Sequence, residues 1–272
     1  MEKETLNRLQ SIETEMLKYV HDICVEHHLH YFMVGGTLLG AVRHSGFIPW
    51  DDDMDIALPR DDYQKLITVL HNKSSAQNPY WIQSIETQPD YWFPYAKLRK
   101  KHTVFAEDSM KNYRGESEIF IDIFPLDQVP KQSSFFQDLQ ALVIKGCGSV
   151  VIWRRLHYGK PPHERGIIGS VLNLLTTNSL VKIREKAMRF YNTRSELKYV
   201  SNLGSNYNNR RQTMPESVYG NGTLIKFGSY EFYGPDDSQQ YLKQLFGDYL
   251  KLPPKDKRQN HNPVRVVFKS ES

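Results

Sequence analysis

The stretch Trp50-Asp51-Asp52-Asp53-Met54-Asp55-Ile56 decides the fold of this 272-residue chain. In a β-strand, alternate side chains share a face. A strand over 51–58 would therefore direct alternate aspartates to one side and turn Met54 and Ile56 toward the core. Neighbouring carboxylates on the first face would lie about 6–7 Å apart. Each such pair would repel by roughly 2–3 kcal/mol in a protein-like dielectric, so the pattern predicts a bound cation.

Magnesium suits such a group, because it prefers hard oxygen ligands and completes its shell with substrate phosphates. Mn²⁺ is the alternative. The predicted ligands from this stretch are Asp51, Asp53 and Asp55. A solvated acidic loop is the simpler alternative, but the flanking Trp50 and the apolar residues favour a half-buried strand. A calcium loop is excluded, since Ile56 stands where an EF-hand needs glycine.

Gly35-Gly36-Thr37 is a second signal, a short distance upstream of the aspartates. The run Tyr31–Val34 predicts a short strand, and Thr37 is the predicted N-cap of a helix over Leu38–His44. Glycines there would let the backbone approach a phosphate, and the helix N-terminus would offer N–H groups to it. A Gly-Gly pair alone is more often a plain turn. We interpret this pair as a phosphate-binding turn because the predicted Asp-x-Asp strand lies just downstream of it.

The rest of the pattern is mixed α and β up to Pro125 and helical from Ser133 to about Tyr191. A helix should open the chain and end near residues 27–30, because apolar residues recur at helical spacing, at Leu9, Ile12, Met16, Val20 and Ile23. A second helix should begin at Asp61 or Asp62, and a loop at Gly159–Pro162 should interrupt the helical region. Further predicted strands cover residues 80–85, 95–99, 103–106 and 118–124. An exposed loop (201–209), a hairpin (224–227 and 230–233) and a helix (237–246) should follow.

Composition limits the function classes. The net charge of +4 fits an enzyme with anionic substrates and is far below that of a dedicated nucleic-acid binder. The two cysteines, Cys24 and Cys147, match no zinc or disulfide pattern, which indicates a reducing compartment. The charged N-terminus lacks a signal-peptide pattern. The most apolar stretch, 141–153, contains Lys145 and is shorter than a membrane span. We therefore expect a cytoplasmic protein.

A longer run is much more specific than either signal alone. Residues 35–44, Gly-Gly-Thr-Leu-Leu-Gly-Ala-Val-Arg-His, lead into residues 48–55, Ile-Pro-Trp-Asp-Asp-Asp-Met-Asp. This run resembles the LicD family of phosphocholine transferases, to which the fukutin-type proteins are related, within the polymerase-beta-like nucleotidyltransferase superfamily. Similar blocks occur at residues 97–100, 120–127 and 246–254. The resemblance therefore covers the chain from residue 10 to residue 260, with the helical middle least distinctive.

The resemblance implies an α+β fold: a nucleotidyltransferase-like mixed sheet core with an N-terminal helix and an added helical region. It divides the chain into three parts. Residues 1–130 would form the catalytic core, and residues 131–200 a helical insertion that faces the acceptor or a membrane. Residues 201–272 would supply a C-terminal hairpin and helix that pack on the core.

The activity that the resemblance implies is metal-dependent transfer of phosphocholine, or a similar phospho-alcohol, to a sugar of a cell-surface glycan. The donor would be CDP-choline or another CDP-alcohol, CMP would be released, and the acceptor would be a teichoic acid, lipooligosaccharide or capsule. By the family pattern, Asp53 and Asp55 form the metal pair and Asp122 is the third catalytic carboxylate, with Asp51 as an added ligand. Choline, glycerol and ribitol all remain open as the transferred alcohol.

The expected donor contacts come from the glycine turn and from three cations. Gly35, Gly36 and Thr37 are assigned to the phosphates, together with Arg43, Lys97 and Arg99, since arginine forks match phosphate oxygens. Each of the three cations is equally well interpreted as a surface charge, and His44 is interpreted as structural. Asp122 lies between apolar residues, so a salt bridge to Lys97 or Arg99 is the alternative to a shared metal.

Two other functions and one location stay open. An Asp-x-Asp glycosyltransferase, or another nucleotidyltransferase, would hold a different nucleotide-activated donor, although glycosyltransferases place a longer nucleotide-binding half before the motif. A non-catalytic nucleotide-binding protein is the alternative of another class. If the acceptor is lipid-linked, the helix at 133–156 and the basic tail (Lys255, Lys257 and Arg258) would bring the protein to the inner face of the plasma membrane.

Overall fold

The computed structural model describes residues 1–89, 91–107, 117–131, 135–156, 175–194, 196–258, 260 and 263–268. Its helices are α1 (Lys3–Glu26), α2 (Gly35–His44), α3 (Arg60–Lys73), α4 (Phe135–Leu156), α5 (Thr177–Met188), α6 (Asn209–Gln212), α7 (Glu216–Tyr219) and α8 (Ser238–Phe246). Its strands are β1 (Phe32–Met33), β2 (Asp55–Pro59), β3 (Tyr80–Gln83), β4 (Ala96–Lys100), β5 (Val104–Glu107), β6 (Phe120–Val129), β7 (Tyr199–Ser201), β8 (Met214–Pro215), β9 (Thr223–Phe227), β10 (Tyr230–Gly234) and β11 (Pro263–Val267). Single 3₁₀ turns lie at Arg189–Tyr191 and Lys255–Lys257.

The central sheet is mixed, as the α+β prediction requires. Its strands run in the order β1-β2-β6-β4-β3, and β7 pairs with both β6 and β8. The strand β2 runs parallel to β6, whereas β4 and β7 pair antiparallel to β6. Strands β9 and β10 form a separate hairpin, and β11 pairs with β5. The fold class is therefore confirmed, with β6 at the centre of the sheet.

The apolar stripe of α1 lies against the sheet as its spacing predicts. Leu9, Met16 and Val20 are fully buried in the main core. The helix ends at Glu26, one residue before the predicted range, and His28 turns the chain with a left-handed backbone. In the same way, α3 buries Tyr63, Leu66, Ile67 and Leu70, the face expected of a helix at this point.

The predicted strand over residues 51–58 is wrong in its first half. Strand β2 begins only at Asp55, and the three preceding aspartates lie outside regular structure. A turn bond from the Asp51 N–H to the Ile48 carbonyl (2.9 Å) bends the chain here, and aspartate is disfavoured in strands. Met54 and Ile56 nevertheless enter the core with no exposed surface, as predicted.

Strand β6 is longer than predicted, and the loop that follows the helical region is less exposed. The chain remains extended through Pro125 to Val129, because β2 pairs with residues 122–126 and β7 with residues 127–129. As a result, Ser201, Asn202 and Leu203 are buried. These three residues were expected in an exposed loop, and the composition of the segment concealed the short strand that begins it.

The helical region is an antiparallel pair of helices. The Gln140 amide donates to the Ala187 carbonyl (2.7 Å), and Arg154 donates to the Thr177 hydroxyl (3.2 Å) at the other end. The predicted loop at 159–162 lies outside the described residues. By length and composition, Phe135–Arg155 could cross a membrane. One of its faces, however, packs on α5 and the sheet through Ile144, Cys147 and Val151.

A buried ion-pair network joins these helices to the sheet. Arg60 binds both oxygens of Asp127 on β6 (2.7 and 2.6 Å) and one oxygen of Glu185 on α5 (2.7 Å). Asn192 donates to the same aspartate (2.6 Å). Burial works against the charged guanidinium, but the two carboxylates outweigh it and raise the pKa of Arg60. Arg60 thus links α5 to β6, because it binds Glu185 on the helix and Asp127 on the strand. The same strand carries Asp122.

Breaking this network should cost far more stability than breaking an exposed pair. Asp127→Asn leaves a buried arginine under-compensated, and we expect the free energy of unfolding to fall by about 3 kcal/mol in urea denaturation. The control is Asp22→Asn, which breaks the exposed Lys18–Asp22 pair of α1 and should change it by less than about 0.5 kcal/mol. Similar losses in the two variants would contradict a stabilising role for the network.

Candidate active site

Asp55 and Asp122 lie side by side on the two parallel strands. They are partners in the β2–β6 register, so their side chains leave the same face of the sheet at the strand spacing of about 4.8 Å. The neighbouring Ile56 and Ile123 are fully buried on the other face. The predicted approach of these two aspartates is therefore found. Its origin is the parallel pairing of strands that lie more than 60 residues apart in the chain.

Lys97 lies beside Asp122 on β4, the strand that pairs antiparallel with β6. Asp55, Asp122 and Lys97 therefore form one row across three neighbouring strands. Lys97 is the register partner of Asp122, and its ammonium lies 2.6 Å from Asp122 Oδ1. Burial raises the pKa of Asp122, and the charge and hydrogen bond of Lys97 oppose that effect. The salt bridge expected as the alternative to a shared metal is thus present. It does not take Asp122 away from Asp55, because all three side chains belong to one row.

Asp51 and Asp53 approach the same row from the loop before β2. Burial raises the pKa of Asp55 well above its ordinary value, and the charges of Asp53, Asp122 and Asp51 add to the effect. The loop is held from behind, since the Gln10 amide of α1 donates to the Asp51 carbonyl (2.8 Å). Asp52, for which no role was predicted, is 1% exposed.

The glycine turn lies directly against these carboxylates. A Cβ atom at Gly35 would lie 3.3 Å from Asp55 Oδ2, and one at Gly36 would lie 2.8 Å from Asp51 Oδ2. Gly35 also adopts a left-handed backbone (φ +55°), which a larger residue would resist. The turn begins α2, whose N-terminus carries partial positive charge and stabilises nearby anions. The glycines therefore let a helix N-terminus approach the two aspartates.

Thr37 is not the N-cap of α2, although the sequence predicts it. Helix α2 begins three residues earlier than predicted, at Gly35, with Val34 in the N-cap position and no side-chain cap. The Thr37 hydroxyl instead accepts a hydrogen bond from the Asp55 N–H (2.8 Å). This bond joins the first turn of the helix to the first residue of β2. Because β1 also pairs with β2, the turn and the carboxylate strand are tied together on both sides.

The predicted cations divide into those at the row and those away from it. Arg99 lies on the same face of β4 as Lys97, one step along the strand, where it donates to Gln83 (2.5 Å) and to the Glu118 carbonyl (3.1 Å). Arg43 lies in the last turn of α2 and donates to the Tyr249 carbonyl (3.0 Å) and to His44 (3.0 Å). Arg43 therefore ties α2 to the C-terminal part of the chain.

Three residues near the row were missed by the sequence analysis. Glu13 of α1 is 2% exposed, and its Oε2 has no hydrogen-bond partner among the described residues. Burial and the charges of the aspartates raise its pKa. Its position within the apolar stripe was a usable signal, since a carboxylate on a core face is unusual. The Tyr241 hydroxyl accepts from the Gly35 N–H (3.2 Å). Burial raises the pKa of Tyr207, and the charges of Asp55, Asp53 and Asp51 raise it further.

The carboxylate oxygens at this site are the kind of ligand that a hard divalent cation prefers, but they are not arranged around one metal position. Several carboxylates crowd one partly buried row, and the Lys97 ammonium binds Asp122 there. Within the described part of the chain, no three His, Cys, Asp or Glu side chains are already placed to hold a metal ion. Oxygen ligands in excess of the local positive charge are what Mg²⁺ prefers. The residues therefore fit the ion by their chemistry and their crowding.

Comparison with known proteins identifies related chains. Residues 28–143 match the family described as LicD/FKTN/FKRP, nucleotidyltransferase domain. Lipopolysaccharide cholinephosphotransferase LicD of Haemophilus influenzae is 28% identical over 272 residues, which cover 96% of this chain and 97% of that protein. Ribitol 5-phosphate transferase FKRP of Homo sapiens is 40% identical over 48 residues, or 18% of this chain and 10% of that protein. The matched region contains the glycine turn, the aspartate loop, Lys97 and Asp122.

Removing one buried carboxylate should stabilise the metal-free protein. Asp55→Asn relieves repulsion within the row, and we expect the free energy of unfolding to rise by about 1–2 kcal/mol. In calorimetry this corresponds to a higher melting temperature, by about 2–4 °C per kcal/mol. The matched control is Asp248→Asn, the same change at an exposed position, which should leave the melting temperature unchanged. A lower melting temperature for Asp55→Asn would show that the aspartates do not repel one another.

Proposed function

We propose that this chain, which is similar to the LicD/FKTN/FKRP nucleotidyltransferase domain over residues 28–143, is a phosphotransferase that moves phosphocholine, or a similar phospho-alcohol, from a CDP-linked donor to a glycan. A sugar hydroxyl of a cell-surface glycan would be the acceptor, and CMP would be released. The relatives named above, a cholinephosphotransferase and a ribitol phosphate transferase, support transfer of a substituted phosphate. The pairing of Asp55 with Asp122 beside the glycine turn is the structural observation that supports it most.

The proposed reaction is a displacement at the phosphorus that bears the alcohol. The oxygen of the sugar hydroxyl forms a new bond to that phosphorus as the bond to the CMP oxygen breaks, and the electron pair leaves with CMP. Such transfers need little covalent help from the protein and depend on positioning and on charge compensation. The chain must therefore bind the diphosphate, hold the acceptor oxygen in line with the leaving oxygen and accept the hydroxyl proton.

Residues that lie close together in the structure can bind the diphosphate and position the acceptor. The N-terminus of α2 favours an anion near Gly35 and Gly36. Lys97 is fixed by Asp122 and adds a buried positive charge to the row. Asp122 is the carboxylate we assign to the acceptor hydroxyl, because it lies between the lysine and Asp55 in the row. Thr37 positions the backbone of Asp55 through the bond from its N–H.

A metal ion is part of the proposal. Asp53, Asp55 and Asp122 would hold Mg²⁺, or Mn²⁺, with Asp51 as a further ligand. When bound, the ion would lower the pKa of the acceptor hydroxyl and neutralise the diphosphate charge. The crowding of carboxylates described above supports this assignment, since burial and like charges disfavour Asp55 as a free anion. A glycosyltransferase or a non-catalytic nucleotide-binding protein remains the alternative that a donor assay would reveal.

We also propose that the N-terminal half of α4 contacts an anionic lipid surface. Phe135, Phe136 and Leu142 are 77%, 67% and 67% exposed, and Phe190 at the adjoining end of α5 is 56% exposed. Exposed basic residues occur on the same segments or next to them, at Lys131, Lys145, Lys186 and Arg189, together with the acidic Asp138. An apolar surface with a basic rim is typical of helices that lie in the membrane interface. In the basic tail, Lys255 and Lys257 are exposed, and Arg258 packs on the Trp50 ring (5.0 Å).

CMP release from CDP-choline should require both the metal and Asp122. We expect release with Mg²⁺, none with EDTA, and recovery with Mn²⁺. Asp122→Asn should lower kcat by at least about 100-fold, with donor binding retained in calorimetry. The control is Asp127→Asn, the same change on the same strand but in the structural network, which should lose stability and keep its turnover. Near-normal turnover of Asp122→Asn, or equal losses in both variants, would contradict the catalytic role.

Vesicle binding should depend on the exposed face of α4. The protein should co-sediment with phosphatidylglycerol vesicles at low salt and be released by high salt, since each basic residue contributes about 1 kcal/mol near an anionic surface. Phe136→Glu should abolish co-sedimentation, whereas Val264→Glu, the same kind of change on exposed β11, should not. Equal binding by both variants would overturn the proposal. Dimers that Phe136→Glu dissociates, without vesicle binding, would assign the face to a second copy of the chain.

A further inference from the structure

We infer that Tyr207 and Arg211 bind the diphosphate of the donor from the side of the site that faces the carboxylate row. This inference rests on the proposed phospho-alcohol transfer and assigns two further residues to its donor. Both residues belong to the segment 202–212, which contains α6 and most of which was expected to be an exposed loop. A tyrosine hydroxyl and a guanidinium are hydrogen-bond donors, so both can contact phosphate oxygens.

The cations that the sequence assigned to the diphosphate are engaged elsewhere. Arg43 lies in the last turn of α2, about 12 Å along the helix axis from Gly35. Arg99 is 4% exposed, and its guanidinium donates hydrogen bonds within the sheet. Lys97 is close to the carboxylates, but its ammonium is held by Asp122 (2.6 Å). A diphosphate that enters the site would therefore gain from a further accessible cation.

The 202–212 segment lies against the strands that carry the row. Ser201, the residue before it, pairs with Asp127 on β6. A Cβ atom at Gly204 would lie 3.2 Å from the carbonyl oxygen of Pro94, which precedes β4 by two residues. The chain therefore passes from β6, which carries the third candidate carboxylate, to the beginning of β4, which carries the lysine.

Contacts with α8 hold the other half of the segment. The Gln244 amide donates to the Arg211 carbonyl (3.1 Å), and the Tyr207 ring meets the Phe246 ring edge-on, with the centroids 5.8 Å apart. The hydroxyl of Tyr241, on the same helix, accepts from the glycine turn (3.2 Å). One helix therefore supports both the glycine turn and the two residues that we assign to the diphosphate.

The Tyr207 hydroxyl is near the carboxylates but is not bound to them. Burial raises its pKa, and the charges of Asp55, Asp53 and Asp51 raise it further, so these carboxylates lie near its oxygen. The hydroxyl has no hydrogen-bond partner among the described residues, and 40% of the surface of Tyr207 is exposed. A phosphate held at the carboxylates by a metal ion could therefore accept a hydrogen bond from this hydroxyl.

Arg211 supplies the positive charge. Its guanidinium lowers the pKa of Tyr207, against the effect of the aspartates, so it also lies near the hydroxyl. Arg211 is exposed and forms no salt bridge with a carboxylate in the part of the chain that the structure describes. A guanidinium can donate two parallel hydrogen bonds to phosphate oxygens. In the proposed displacement neither residue exchanges a proton, and both stabilise the negative charge of the phosphate oxygens.

Calorimetric titration of the full-length protein in the presence of Mg²⁺ tests the inference. The probes are CDP-choline, inorganic pyrophosphate and cytidine, which has no phosphate. Arg211→Gln should weaken the binding of CDP-choline and of pyrophosphate by at least about 10-fold, the loss expected when a hydrogen bond to a charged group is removed. Its affinity for cytidine should be unchanged. Arg211→Lys, which keeps the charge and loses the fork, should retain part of the affinity.

Matched variants separate these two residues from their surroundings. Arg210→Gln makes the same change one residue earlier in α6, where the side chain leaves the helix about 100° away, and should bind all three probes like the wild type. Tyr207→Phe keeps the ring contact with Phe246 and should weaken the binding of CDP-choline by about 10-fold. Its control, Tyr230→Phe, removes a hydroxyl that binds Glu15 of α1 and should have no effect. The melting temperature of each variant shows that it is folded.

Wild-type affinity for CDP-choline in folded Arg211→Gln or Tyr207→Phe would overturn the inference for that residue, as would an equal loss in its control. A parallel loss of cytidine binding would assign the residue a structural role and overturn the inference as well. If CDP-choline binds through Arg211 but no CDP-alcohol releases CMP, the proposed transfer is rejected and the inference stands. A wild type that binds neither CDP-choline nor pyrophosphate would reject both.

Discussion

The parallel pairing of β2 with β6 is the contact on which the rest of the site depends. It places Asp55 beside Asp122 while the neighbouring isoleucines are buried on the other face. The two carboxylates cannot move apart without loss of the sheet's hydrogen bonds and core. Their charges must therefore be compensated by their surroundings. Lys97 does this from β4, and the N-terminus of α2 does so across the glycine turn.

Much of this fold follows from local patterns in the sequence. The stripe of α1, the buried face of α3 and the hairpin of β9 and β10 were predictable because each depends on residues close together in the chain. The approach of Asp122 to the Asp-x-Asp segment came from the family resemblance, and the register of the two strands bears it out. Amino-acid composition alone did not predict that Asp55 and Asp122 would lie side by side.

The parts that sequence could not predict depend on long-range contacts. The loop at 51–53 is bent by a turn and held by Gln10, so strand alternation does not apply to it. Thr37 caps no helix, because its hydroxyl is bound to a residue 18 positions away. Tyr207 lies in a segment rich in Asn, Ser and Gly that carries no signal of its own. In each case a distant element sets the conformation of a local segment.

The dependence of the glycine turn on the last part of the chain has a consequence for synthesis. Tyr241 binds the Gly35 N–H, and the Tyr249 carbonyl accepts from Arg43 at the other end of α2. Both partners leave the ribosome some 200 residues after the helix they support. A nascent chain that has already formed β2 and β6 would therefore still lack these supports. Synthesis must proceed past Tyr249 before the candidate site is complete, so a product that ends before Tyr241 would contain the aspartates without the contacts that support the glycine turn.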